Sequence, residues 1–125
     1  MAAEKEFEQK VKAYLKEQGC WVLKTWSNGI QREGVPDLLV CCNGFFLGVE
    51  SKAPNGKPSE LQLWNVDKIR NANGVAIVLY PDQFEQFKTL VEALQNKCYY
   101  VAYCSQFFEF KRDNNERKST NEAGN

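Results

Sequence analysis

Hydrophobic positions follow a helical period at the start of this chain and short, strand-length runs through its middle. Phe7, Val11, Tyr14, Leu15 and Gln18 share one face of a helix from about Glu4 to Gln18, and Gly19 supplies its left-handed stop. Trp21 to Trp26 is a short strand rich in aromatic and β-branched residues, and Ser27 to Gly34 is a polar loop. Two apolar runs follow, Leu38–Cys42 and Phe45–Glu50, separated by Asn43-Gly44, the strongest short-range signal for a two-residue hairpin turn. Ala53–Pro58 is a stiff basic loop, and Ser59 starts a helix that runs to about Asn71. After the turn Asn73-Gly74, the continuous apolar run Val75–Tyr80 is expected as a central strand covered on both faces. Pro81-Asp82 opens a third helix with Phe84, Phe87, Val91 and Leu94 at helical spacing, and Tyr99–Tyr103 has the composition of one more strand. From Lys111 the tail is polar and expected to be disordered, which leaves residues 1–110 as one domain and 111–125 as a tail.

The order is therefore α-β-β-β-α-β-α. A helix joining the hairpin to the Val75–Tyr80 strand implies a crossover, hence an α/β fold with a mixed β-sheet flanked by helices.

The hairpin also places charge. With Cys42 opposite Phe45, Asp37 stands directly opposite Glu50, and strand alternation turns Lys52 to the side of Glu50. Two carboxylates facing across a strand pair, with Cβ atoms roughly 5 Å apart, destabilise the pair unless something offsets their repulsion. A divalent cation is the usual remedy. Asp37 follows Pro36, which holds Val35 extended and delivers the carboxylate to the start of a strand. Glu50 ends an otherwise apolar strand, where an unpaired carboxylate is costly. The plainer readings are a strand-initiating aspartate and a surface Glu50–Lys52 salt bridge.

Composition removes several alternatives. The 125 residues are 43% hydrophobic and suit one domain with a modest core. There is no run long and apolar enough to span a bilayer, and the charged start is not that of a signal peptide. The absence of histidine excludes Ser-His and Cys-His nucleophiles and a histidine general base. Five cysteines without a C-x-x-C pair make a structural zinc site unexpected; Cys41 and Cys42 read as small buried hydrophobes of a reducing, cytoplasmic compartment. Sixteen basic residues balance sixteen acidic ones. Zero net charge counts against a protein that coats duplex nonspecifically, but is compatible with a nuclease whose acidic cluster is neutralised by bound ions.

Asp37, Glu50 and Lys52, behind a helix carrying Glu8 and ahead of one carrying Gln62, resemble the PD-(D/E)xK nucleases. The chain looks most like their compact members, the stand-alone VRR-NUC domains of phages and the archaeal Holliday junction resolvases, over roughly Glu4 to Tyr80. The resemblance implies a restriction-endonuclease-like core and hydrolysis of phosphodiester bonds in branched DNA, with four-way junctions as the favoured substrate, a homodimer as the working form and no small-molecule cofactor. It also implies Mg2+ or Mn2+ held by Asp37, Glu50 and the backbone carbonyl of Ser51, with Glu8 in the second rank through water. Octahedral oxygen ligation with several retained waters is what Mg2+ prefers.

The helical glutamate of the site is expected to be Glu8, which leans from the edge of the apolar face and whose interval to Gly19 matches that in the archaeal resolvases; Glu4, one turn earlier on the same side, is its competitor. Gln62 reads equally as the reciprocal partner of a capping box with Ser59 and as an inward polar residue in need of a site partner. Ser27, Asn28, Arg32 and Lys57 are the candidate DNA contacts; Lys24, Lys68 and Arg70 are further basic residues that would frame a groove if they were not simply solvated. Trp21, Trp26 and Trp64 read as core or interface residues, and Phe107-Phe108 as aromatics that dock onto a partner subunit or back onto the domain. The rivals are a flap, nicking or nonspecific nuclease, and a noncatalytic DNA-binding module on the same fold.

Overall fold

The computed structural model describes residues 2–26 and 33–107. Its elements are α1 (Ala2–Glu17), β1 (Trp21–Lys24), β2 (Leu38–Cys42), β3 (Phe45–Ser51), α2 (Glu60–Asn71), β4 (Val75–Leu79), α3 (Phe84–Gln95) and α4 (Tyr99–Ser105). The sheet order is β1-β2-β3-β4, antiparallel except for the parallel pair β3–β4 that α2 connects. This is the mixed α/β sandwich expected of a restriction-endonuclease-like core.

The hairpin register is the one Asn43-Gly44 dictates. Asn43 at φ 52° and Gly44 at φ 89° make the left-handed turn, and Cys42 pairs with Phe45. The Asn43 amide also donates to the carbonyls of Leu94 and Gln95, so the turn caps the end of α3.

The larger core lies on one face of the sheet. Phe7, Val11 and Leu15 of α1 and Phe84, Phe87, Leu90, Val91 and Leu94 of α3 pack on Leu38, Val40, Leu47, Val49 and Ile77. A smaller cluster of Val66, Ile69, Ala76, Val78 and Tyr80 seats α2 on the other face, over β3 and β4. Among the described residues no helix packs over the β1–β2 half of that second face. Trp21 and Leu23 of β1, Cys41 of β2 and Phe46 of β3 are exposed there, and Trp21, Cys41 and Phe46 stand in register across three strands.

Several expectations change. The Val75–Tyr80 strand is buried on both faces but lies at the sheet edge, not its centre. Its outer rim is closed by side chains: Gln106 Oε1 accepts from the Ala76 N–H at 2.9 Å, and Arg70 Nε donates to the Ala76 carbonyl at 2.9 Å. Arg70 is thus a buried structural residue, not part of a groove. The segment Tyr99–Tyr103 is helical, because Tyr99, Tyr103 and Phe107 stack at helical spacing, on from Phe45, with ring centroids 5.6–5.8 Å apart. Phe107 lies under the Arg70 guanidinium, so it docks on its own domain. Cys41 is exposed while Cys42 is buried, since the strand alternates and only one of the two faces the core. Trp21, Trp26 and Trp64 are 62%, 66% and 45% exposed, so none belongs to the core. Ser27, Asn28, Arg32, Phe108 and the tail from Lys111 lie outside the described residues. Among the described residues no helix is long and apolar enough to cross a membrane.

Candidate active site

The carboxylates meet where β2 begins and β3 ends. Glu50 is the penultimate residue of β3 and only 1% exposed. Its Oε1 accepts from the Asp37 N–H at 3.2 Å, so the hairpin register extends one step past Leu38–Val49 and sets Asp37 against Glu50. Asp37 itself stands just before β2, and there the strict alternation of faces ends: its carboxylate lies 3.4 Å from the Ser51 hydroxyl and 3.8 Å from Lys24 Nζ. Lys52 Nζ lies 3.3 Å from Glu50 and 3.9 Å from Glu4, with the Lys52 backbone held by an N–H bond to the Leu79 carbonyl. Asp37, Glu50 and Lys52 therefore converge as the hairpin spacing requires.

Burial of this acid cluster is felt electrostatically. The Glu50 carboxyl is pushed up to about 7, chiefly by desolvation and then by the charge of Asp37, with Lys52 pulling the other way. Asp37 is also raised, again by desolvation first; Glu8 and Glu4 add to the rise, and Lys24 and Lys52 oppose it.

Glu4 and Glu8 separate clearly. Glu8 is buried and salt-bridged to Lys24 at 2.6 Å. Glu4, one turn earlier, offers a carboxylate oxygen within 4.8 Å of those of Asp37 and Glu50. The geometry thus gives Glu4 the position in the carboxylate cluster that sequence spacing assigned to Glu8, because the intervening Lys24 holds Glu8 to the β1 side. The oxygen-only donor set of Glu4, Asp37 and Glu50 fits a hard divalent cation such as Mg2+ or Mn2+, and among the described residues no cysteine joins the cluster.

Gln62 satisfies both of its readings at once. Its Oε1 accepts from the Ser59 N–H and its own N–H donates to Ser59 Oγ, closing the capping box of α2. The remaining amide group, Nε2, donates to Glu50 Oε2 at 2.9 Å. The cap therefore fixes the rotamer that steadies a buried carboxylate. Lys57 is exposed in a loop pinned by a Tyr80 hydroxyl bond to the Gly56 carbonyl, and among the described residues no ion pair joins it to the carboxylates.

Two site residues escaped the sequence reading. Lys24 bridges Glu8 and Asp37; burial opposes its charge, but the Glu8 hydrogen bond and Asp37 outweigh this and its pKa is raised. Thr25 is the other: its N–H donates to the Asp37 carbonyl at 2.8 Å, and its hydroxyl donates to the carbonyls of Pro36 and Asp37. Extending the pairing of β1 onto β2, with Lys24 opposite Leu38, is the signal that would have placed both.

No curated protein sequence matches the chain. Among solved structures, a VRR_NUC domain superposes with a TM-score of 0.59 at 30% sequence identity, covering 72% of this chain and 95% of that one. The family model described as archaeal Holliday junction resolvase (Hjc) matches residues 2–96, a span that holds α1, the hairpin, α2 and every residue of the carboxylate cluster, and the chain accordingly belongs to the archaeal Holliday junction resolvase family.

Proposed function

We propose that this nuclease is a divalent-metal-dependent endodeoxyribonuclease that hydrolyses phosphodiester bonds in branched DNA, with four-way junctions favoured and a homodimer as the working form. The observation that carries the chemistry is the convergence of Glu4, Asp37 and Glu50 beside Lys52 at the end of a hairpin. Asp37, Glu50, Glu4 and the Ser51 carbonyl would hold the ion, and Glu8 would act through Lys24 or through water. When bound, the ion would supply positive charge that acidifies a water and offsets the charge of the phosphate. Lys52 stands with its ammonium over the carboxylates, placed to orient the attacking water and to stabilise charge that builds on phosphorus. Gln62 keeps Glu50 aimed, and Thr25 fixes the backbone on which Asp37 rides. Ser27, Asn28, Arg32 and Lys57 remain the proposed DNA contacts.

Labelled four-way junction, flap, nicked, duplex and single-stranded DNAs, incubated with the protein and Mg2+ or Mn2+, test this reading. Junction cleavage that vanishes with a chelator is expected. Binding without cleavage of any substrate would favour the noncatalytic module instead.

Metal binding has its own readout. Mg2+ at about a hundred times its dissociation constant should stabilise the fold by about 2.7 kcal/mol. Asp37→Asn should blunt the response, and Glu4→Gln should blunt it more than Glu8→Gln does. Equal metal responses in the two glutamate variants would remove Glu4 from the ligand set.

A four-way junction presents two symmetry-related strands, so its resolution needs two active sites about a two-fold axis. The half-face that no described helix covers supports an isologous pairing: Trp21, Leu23, Cys41 and Phe46 are exposed, carry no charge and lie on the side of the sheet where α2 lies. A dimer of wild-type and Asp37→Asn subunits should nick junctions without resolving them, and Phe46→Glu should yield monomers in sedimentation. A wild-type protein that sediments as a monomer at micromolar concentration, with and without DNA, would favour a flap or nicking nuclease.

A further inference from the structure

We propose that Cys20 and Cys42 are a redox-responsive pair, a site of thiol oxidation at which a peroxide closes a disulfide between β2 and the residue that leads into β1. The inference is independent of the nuclease reading. The pairing of β1 on β2, Trp21 with Cys41 through Lys24 with Leu38, extends one step to set Cys20 opposite Cys42. Parity fixes what kind of pair this is. The Thr25 N–H donates to the Asp37 carbonyl at 2.8 Å, so Thr25–Asp37 is a hydrogen-bonded pair, and alternation gives the same character to Leu23–Leu39 and Trp21–Cys41. Cys20–Cys42 falls on the other parity. The Cys20 N–H accordingly goes to the Leu15 carbonyl at 3.0 Å, and Cys42 closes the two-residue turn with Phe45 on its other side. Cα atoms of such a non-hydrogen-bonded pair stand about 4.5 Å apart, inside the range a disulfide spans.

The side chains meet as the backbone requires. Both cysteines belong to the core on the α1 and α3 face, Cys20 8% exposed and Cys42 fully buried. Burial raises both thiols, Cys42 to about 12. They also hydrogen-bond to each other, and that bond eases Cys20 while adding to the rise of Cys42, so the Cys42 S–H is the donor and Cys20 the acceptor. Cys20 is thus the more accessible sulfur and the one readier to ionise. Cys41, Cys98 and Cys104 are exposed and stand outside the pair. Reducing surroundings leave Cys20 and Cys42 as thiols, and oxidising ones join them.

The chemistry balances with hydrogen peroxide as the oxidant. Cys20 loses its proton, and the thiolate attacks one peroxide oxygen. The O–O bond breaks, the departing hydroxide takes that proton to become water, and a sulfenic acid is left on Cys20. The Cys42 sulfur then attacks the Cys20 sulfur. Its S–H proton goes to the departing hydroxide, a second water leaves and the S–S bond forms. Two thiols have given up two electrons and two protons, and one peroxide has become two waters. The ring so closed runs from residue 20 to residue 42 and holds β1, Asp37 and β2. β1 is an edge strand of the sheet, and Lys24 at its end and Thr25 just after it hold Asp37. Oxidation therefore pins the edge on which that part of the carboxylate site depends.

The test uses a protein carrying Cys41→Ser, Cys98→Ser and Cys104→Ser, in which Cys20 and Cys42 are the thiols that remain. The folded protein is treated with a small excess of hydrogen peroxide, alkylated and digested with trypsin. A cross-link between the peptides 17–24 and 33–52, two hydrogens lighter than their sum, is expected. Its formation should raise the melting temperature by about 10 °C, and dithiothreitol should restore the reduced value. Cys20→Ala in the same background should give neither the cross-link nor the shift. Cross-linking in urea but not in buffer would overturn the proposal, because the thiols would then meet only in the unfolded chain. Sulfinic acid on Cys20 without the cross-link would overturn it as well. So would two thiols that both stay open to alkylation after prolonged exposure, or a cross-linked protein that melts no higher than the reduced one.

Discussion

Glu50→Gln is expected to reduce phosphodiester cleavage by roughly three orders of magnitude and yet to raise the melting temperature of the metal-free protein at pH 8. Both effects come from one buried charge. Glu50 is 1% exposed, and its carboxyl titrates near 7 instead of 4.5. Holding it ionised in the fold costs about 3 kcal/mol. Below the unfolded value the carboxyl is neutral in folded and unfolded chains alike and the penalty is absent. As pH rises through about 7 the penalty is fully expressed, so the metal-free wild type loses stability across that window. Glutamine keeps an acceptor for the Asp37 N–H but cannot serve the Gln62 amide as well, which limits the gain to about 1–2 kcal/mol, a few degrees. The gain should vanish at pH 5 and reverse with Mg2+, which stabilises only the wild type. Melting curves with EDTA or Mg2+ at the two pH values, beside a cleavage assay, read all of this. A variant that melts lower than the wild type at pH 8 without metal, or that cuts at the wild-type rate, would remove Glu50 from its assigned role.

The part of the site that lay open in the sequence is the part a tight turn dictates. Asn43-Gly44 permits few backbone geometries, so the register follows from it and Asp37, Glu50 and Lys52 follow from the register. A choice between two glutamates on a helix has no such constraint: Glu4 and Glu8 lie on the same side of α1, and what parts them is Lys24, a residue on another element sixteen positions from Glu8. Lys24 reads as a surface charge until β1 is paired onto β2. The β4 strand was legible as buried on both faces, but sequence carries no direct sign of sheet order, and closure of its edge by Gln106 and Arg70 is a long-range contact. In α4, composition misled. Tyr and Val favour strands, but Tyr99, Tyr103 and Phe107 recur every fourth residue and Ala102 is buried between them, a helical period that tertiary packing rewards.

Gln106, which supplies half of that edge closure from the end of α4, lies beyond residues 2–96, the span matched by the family model, and makes α4 part of the fold's stability. Gln106 is fully buried; its Oε1 takes bonds from Ala76 N–H and Arg70 Nε, its amide donates to the Tyr103 carbonyl, and its own carbonyl accepts from Arg70. Burial holds the Arg70 guanidinium down to about 10, against the charge of Asp67, and these acceptors offset part of the cost of burying it. Gln106→Ala strips one buried N–H and part of a buried cation of their partner and should destabilise the protein by about 2–4 kcal/mol. Arg70→Ala leaves the Ala76 and Gln106 carbonyls unpaired and opens space under Phe107, for a loss of about 3–5 kcal/mol. Because the two side chains satisfy each other, the double variant should lose at least about 1 kcal/mol less than the two single losses together. Opening the rim also frees the backbone of an apolar strand, so both variants should aggregate on heating where the wild type does not. Urea unfolding of the four proteins measures the cycle. Additive losses, or a Gln106→Ala protein as stable as the wild type, would mean that β4 is held by its two faces alone and that the edge seal is incidental.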